Sequence, residues 1–225
     1  MLNALPAGAN GLVWLGKCAG ADADFIKAVQ PYIGHPKLFG FYLMDEPDPG
    51  SPGHPGCTAE TLKAEADWIH ARAPKAKTFI VLRNMSSSRS PSFDPAYKPS
   101  GSHVDLFGLA AYPCRTETNG CDFDMINRYI SAADKSGIPR SSIVPVFQAF
   151  GGGHWMDDED GQYTMPTAAQ ARTILNLWQK LIPSPVFDYT FSWGSQNGDS
   201  ALDSSPELGE VFSLHNGAAK AVGAK

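Results

Sequence analysis

Phe39-Gly40-Phe41-Tyr42-Leu43-Met44-Asp45-Glu46-Pro47 is the stretch on which the fold turns: an apolar, aromatic-rich run that ends abruptly in two acids and a proline. Such a run suits a strand buried on both faces, as in a parallel sheet covered by helices. The acids do not suit burial, because an ionised carboxylate moved into an apolar interior is heavily penalised. Asp45 and Glu46 are therefore expected where the strand meets water or a ligand, with Pro47 fixing the direction in which the chain leaves.

Similar apolar runs recur on either side: Gly11–Gly16, Leu38–Met44, Thr78–Leu82, Val104–Tyr112, Ile143–Phe150 and Phe187–Trp193. Helical patterns fill the gaps. Leu62, Ala66, Ile69 and Ala73 recur at three- and four-residue steps, with Glu60, Lys63, Asp67 and Arg72 elsewhere on the wheel. Further helices are expected over Asp22–Ile33, Cys121–Ser136 and Ser205–Leu214, and Thr167 opens a capping-box pattern ahead of another. The Ser- and Pro-rich stretch Met85–Gly101 reads as a long exposed loop.

Strands alternating with helices predict an α/β fold with parallel strands. An open dinucleotide-binding sheet needs a glycine-rich phosphate turn after its first strand, which Gly16-Lys17-Cys18-Ala19-Gly20 does not supply. A (β/α)8 barrel of TIM type fits better: segments after the strands are long and carry acids, cysteines and aromatics, while segments entering them, such as Pro139-Arg140-Ser141-Ser142, are short and plain. Residues 1–225 are read as a single barrel domain of catalytic type.

With 225 residues and 43% hydrophobic content, the chain can bury a large core. A formal net charge of -5 gives phosphate-backbone binding no electrostatic basis, so no nucleic-acid partner is expected. No apolar run approaches the roughly 20 residues a bilayer span requires, so no membrane partner is expected either. Cys18, Cys57, Cys114 and Cys121 fall in loop-like segments without metal-ligand spacing, which points to two disulfides, Cys18 with Cys57 and Cys114 with Cys121, and to an extracellular, secreted protein. No metal and no cofactor are expected, and the chain is expected to act as a monomer.

Taken in order, the strand ends resemble the clan of retaining (β/α)8 glycoside hydrolases that includes cellulases and mannanases, and secreted actinobacterial hydrolase-like barrels. In that clan the fourth strand ends in Asn-Glu-Pro, whose Glu is the acid/base. Asp45-Glu46-Pro47 stands there, so the resemblance gives Glu46 the role of general acid, and the adjacent Asp45 is read as a second catalytic candidate. Val104–Pro113 resembles the sixth strand and makes Tyr112 an active-site tyrosine. Phe191-Ser192-Trp193 resembles the eighth and makes Trp193 a sugar-stacking residue. Aligned this way, the first visible strand is the third of the barrel, and one or two β/α units are expected to be missing from the N-terminus.

The seventh strand departs from the pattern. Where the clan places its nucleophilic Glu, the run Pro145–Phe150 has Gln148, and an amide cannot form a glycosyl ester. Three repairs are open. An inverting reaction could take its base from Asp45 or from the loop Asp157-Asp158-Glu159-Asp160, with carboxyls roughly 6.5–9.5 Å apart. The substrate could bring its own nucleophile as an N-acetyl group, with Asp45 orienting it. Or catalysis is lost and the barrel only binds carbohydrate. Gln148, Trp155 and Asn84 complete the expected substrate contacts, with a polysaccharide or oligosaccharide as the partner. The acids at 157–160 lack the full spacing of a calcium loop. Trp14, on a strand, faces either the interior or away from it and receives no functional role, and Arg83 could either orient substrate or neutralise the acids.

Overall fold

The computed structural model describes residues 2–156 and 161–223 and falls into two compact units. The first holds the chain up to residue 85 with 93–109 and 133–143; the second holds 86–92, 110–132 and the chain from 144 onward.

In the first unit, β1 (Gly11–Trp14), β2 (Leu38–Asp45), β3 (Lys77–Leu82) and β4 (Leu106–Leu109) pair in parallel, in that order. β2 is the expected run extended by one residue, and its Phe41 and Leu43 are wholly buried. Gly40 lets β2 lie against β3, since a Cβ there would sit 2.1 Å from the Lys77 carbonyl oxygen. α1 (Ala23–Val29) is capped by Asp22, whose Oδ1 accepts from the Phe25 amide at 2.8 Å. It stops short of Ile33 because Pro31 turns the chain into a 3-10 segment, Gln30–Tyr32. α2 (Ala59–Arg72), capped by Thr58, buries the predicted stripe Leu62, Ala66 and Ile69.

β4 is shorter than the expected run Val104–Tyr112 because Asp105 is spent on a polar clamp. Its Oδ2 accepts from the Thr78 amide (2.9 Å) and hydroxyl (3.0 Å) and pairs with His70, while Lys77 approaches Oδ1. The stretch after β3 is not the exposed loop expected. Phe93 and Tyr97 are buried, and the Tyr97 hydroxyl donates to the Cys57 carbonyl at 2.7 Å before a short helix, α3 (Pro99–Ser102).

The second unit contains the small antiparallel pair β5 (Cys114–Arg115) and β6 (Gly120–Cys121), followed by α4 (Asp124–Lys135) and β7 (Ile143–Gln148). Its boundary with the first passes through the end of α4 and the first residue of β7. β8 (Phe150–Gly151), α5 (Ala168–Leu181), β9 (Tyr189–Phe191), β10 (Ser200–Ala201) and α6 (Pro206–Gly223) complete it. β7 and β9 pair in parallel, and β8 and β10 antiparallel. The capping box at Thr167 forms in full with Gln170, and Trp178 on α5 is a packing residue. α6 starts at Pro206, where a missing amide hydrogen costs no helical bond.

Both cysteine pairs are bonded, Cys18 to Cys57 in the first unit and Cys114 to Cys121 in the second. Among the described residues, no helix is long and apolar enough to cross a membrane.

Candidate functional site

The end of β2 concentrates polar chemistry. Phe41 meets Tyr32 of the segment after α1 (ring centroids 6.5 Å apart), so the alternation of the strand turns Tyr42 to the opposite face. There Tyr42 meets Phe79 of β3 and Trp14 of β1, each with centroids 4.7 Å away. Its hydroxyl donates to Asp45 Oδ1 at 2.6 Å. Water reaches Asp45, yet surrounding protein crowds the carboxyl enough that desolvation raises its pKa, with the Tyr42 hydroxyl offsetting part of the rise.

Glu46 is half-buried and lies just past the strand, its amide bonded to the Val81 carbonyl at 3.0 Å. Its φ of 44° is in the left-handed region, which a non-glycine residue enters at a cost. Glu46 lies beyond the last residue of β2, so strand alternation no longer sets its direction.

Two residues on, Asp48 is buried and takes up Arg83, whose Nη1 lies 2.6 Å from Asp48 Oδ2. The Ser51 side chain, the Gly50 amide and the Arg83 charge hold the Asp48 carboxyl below the usual range against the effect of burial. Arg83 thus pairs with Asp48, an acid that sequence reasoning did not consider. Asn84, half-buried, follows directly after it.

In the second unit, Gln148 at the end of β7 is 1% exposed and its amide is committed to backbone. Oε1 accepts from the Cys114 amide at 2.9 Å, while Nε2 is shared among the carbonyls of Cys114 (2.9 Å), Thr164 (3.0 Å) and Phe150 (3.3 Å). It ties β5, β8 and the segment before α5 to the strand. Tyr112 packs among Phe150, Tyr163 and Phe191, with centroids 5.0 to 6.3 Å away. Trp155 joins that cluster through Phe150 and Phe191, and its buried indole nitrogen has no hydrogen-bond partner among the described residues. Trp193 stands apart with 74% of its surface exposed. Asp199 shapes a turn, its Oδ1 accepting from the amides of Gln196 and Asn197, both at 2.9 Å.

The same unit has an open cavity of about 650 Å³ lined by Ser88, Arg89, Glu117, Thr118, Asp122 and Arg128. Arg128 is tied there to Asp122 at 2.5 Å and to the Ser88 carbonyl at 3.1 Å. Among the described residues, no group of three or more His, Cys, Asp and Glu side chains gathers to hold a metal ion. The acids Asp157, Asp158, Glu159 and Asp160, candidates for a base or for calcium, lie outside the described residues.

Sequence reasoning missed Tyr42 and gave Trp14 no role. A signal existed for both. Trp14 is the last residue of one strand, Tyr42 lies near the end of the next, and ends of this kind are where parallel α/β folds place ligands.

No family model matches the chain, and no curated protein matches it in sequence. Solved structures do resemble it. The C-terminal domain of a candidate chitinase from Desulfitobacterium hafniense DCB-2 aligns at TM-score 0.54 and 11% identity, over 92% of this chain and 79% of that one. Catalytic domain 2 of the Group II chitinase of Ostrinia furnacalis aligns at TM-score 0.51 and 13% identity, over 83% and 71%. A candidate α-L-fucosidase from Bacteroides thetaiotaomicron VPI-5482 aligns at TM-score 0.49 and 12% identity over 87% of this chain, which spans only 59% of that protein's length. The likeness supports the coarser reading of the fold, parallel strands alternating with helices as in part of a (β/α) barrel.

Proposed function

We propose that the chain is a glycoside hydrolase that cleaves O-glycosidic bonds next to 2-acetamido sugars in an extracellular polysaccharide or oligosaccharide, with Glu46 as general acid. The observation that carries this reading is the end of β2, where a half-buried Glu46 is held in a left-handed backbone conformation directly after a crowded, partly solvated Asp45. The barrel fold shared with chitinases supports it, since carboxylates at the C-terminal ends of barrel strands are where this fold keeps its chemistry.

Gln148 shapes the mechanism. A retaining reaction through a glycosyl ester needs a second carboxylate, and the β7 end offers an amide already committed to four backbone bonds. An N-acetyl substrate removes that need: its carbonyl oxygen attacks the anomeric carbon while Glu46 delivers its proton to the departing oxygen. Asp45, hydrogen-bonded by Tyr42, orients the acetamido group and balances the positive charge that develops on it. Glu46 then takes a proton from water as the cyclic intermediate opens, and the anomeric configuration is retained. Asn84, in the same unit as Glu46, is the further proposed sugar contact.

Comparing acetylated with deacetylated oligosaccharides of equal length tests this reading. The account expects cleavage confined to bonds following an acetylated unit, with the β-anomer as first product from a β-linked chain. Equal cleavage of deacetylated chains would exclude substrate assistance, and inversion would assign a base to a protein carboxylate. Gln148 also favours a second reading, a barrel that binds carbohydrate without cleaving it; calorimetric binding with no reducing-end release would establish that one.

A further inference from the structure

We propose that Trp14 is a sugar platform: its indole, fixed at the end of β1 against Tyr42, whose hydroxyl in turn holds Asp45, receives one face of a pyranose ring whose substituents are equatorial. The proposal rests on the hydrolase reading and adds to it a binding subsite on a strand that carries none of the expected site residues.

Three observations place the ring. Trp14 is 53% exposed although it ends a strand of the sheet, so more than half of a large amphipathic side chain is left open to solvent. It is nonetheless held. Tyr42 meets it edge-on at 4.7 Å with planes 81° apart. On another side lies Gly16, whose φ of 63° suits glycine and whose position would bring any Cβ to 3.1–3.2 Å from the indole. The backbone that carries the ring is zipped onto β2, with the Leu15 amide bonded to the Tyr42 carbonyl at 2.9 Å and that of Gly16 to the Leu43 carbonyl at 3.1 Å. An exposed ring fixed in orientation loses little freedom when a ligand settles on it.

The neighbours decide the ligand. An exposed aromatic alone would suit many apolar partners, but this one is linked through the Tyr42 ring and hydroxyl to Asp45, whose Oδ2 accepts no hydrogen bond from any described residue. An apolar face with a carboxylate acceptor close by matches a sugar, which offers axial C–H groups on its face and hydroxyl or amide donors at its rim. A ring with all-equatorial substituents leaves that face flat, whereas an axial hydroxyl would lift it from the indole.

The test uses Trp14→Ala and Trp14→Phe in the full chain, with N-acetylglucosamine tetramer and hexamer as ligands. Turnover is measured in the otherwise unaltered protein, and calorimetric binding with Glu46 replaced by Gln. The account expects Trp14→Ala to raise KM and Kd at least tenfold with kcat within about threefold, Trp14→Phe to fall between, and the ligand-induced shift in tryptophan fluorescence to shrink in both. Because the side chain is largely exposed, folding should survive, and circular dichroism checks that it does. KM and Kd within twofold of the parent would overturn the platform while leaving the hydrolase reading intact. Binding without turnover by the parent would defeat the hydrolase reading and leave the platform to be judged on Kd alone. Absence of binding by the parent would overturn both.

Discussion

The ends of β2 and β7 each close an apolar run with a polar side chain, and they differ in how the polar atoms are used. Gln148 at the end of β7 makes four hydrogen bonds to backbone and is sealed from solvent. Among the described residues, the Asp45 carboxylate at the end of β2 accepts one side-chain hydrogen bond, from Tyr42, and remains open to water; Glu46 beside it sits in a costly backbone conformation. A polar group with its valences filled by the protein is scaffolding, whereas one left under-used at a strand end is available to a ligand. Residue type does not separate the two cases, but the count of partners does.

The sharpest way to break this comparison is Gln148→Glu. If Gln148 were a nucleophile lost to mutation, the carboxylate would restore or raise activity. The structure predicts the reverse: a carboxylate would confront the carbonyl oxygens of Cys114, Thr164 and Phe150, and the Nε2 donor would be gone. Chemical denaturation should show a loss of about 3 kcal/mol or more, with no gain in turnover. A stable Gln148→Glu protein with raised activity would return β7 to the catalytic machinery.

Glu65 sharpens the comparison from the other side, because a perturbed acid is not by itself a functional one. It lies on α2, fully buried, with neither carboxylate oxygen hydrogen-bonded to any described residue, and burial pushes its pKa up to about 8. The negative Asp22 adds to the rise and the nearby Gly20 amide offsets part of it. Since the folded pKa exceeds the unfolded one, the native state holds the extra proton. The stability Glu65 contributes is whole below about pH 4.5 and is lost progressively as pH climbs to about 8. The slope should approach 1.4 kcal/mol per pH unit at most and should vanish in Glu65→Gln, as denaturation midpoints at pH 5, 6.5 and 8 would show. Parallel midpoint curves for the two proteins would place an ionised Glu65 in the folded state.

Much of the scaffold was legible in the chain. The six main strands, the helix caps at Thr167 and Pro206, the disulfide pairs and the acids closing β2 all follow from local patterns: apolar run length, turn residues and cysteine placement. Gln148 was located correctly on its strand but not in its environment, because its partners are backbone groups at Cys114, Phe150 and Thr164 that only tertiary folding assembles. The left-handed turn at Glu46 was hidden for a related reason, since no glycine or asparagine marks it. Asp48 was overlooked because nothing in sequence pairs it with Arg83, 35 residues away. Trp14 could be placed on its strand but not on one face of it; its exposure depends on which neighbours cover the strand, and sequence spacing does not encode that.

The central claim is that the open polar end of β2 holds the proton donor, and Glu46→Gln tests it most directly. With an N-acetylglucosamine oligosaccharide as substrate, the account predicts a fall in kcat of at least about a hundredfold, with melting temperature and oligosaccharide Kd close to those of the parent. Turnover undiminished in a correctly folded Glu46→Gln protein would contradict it.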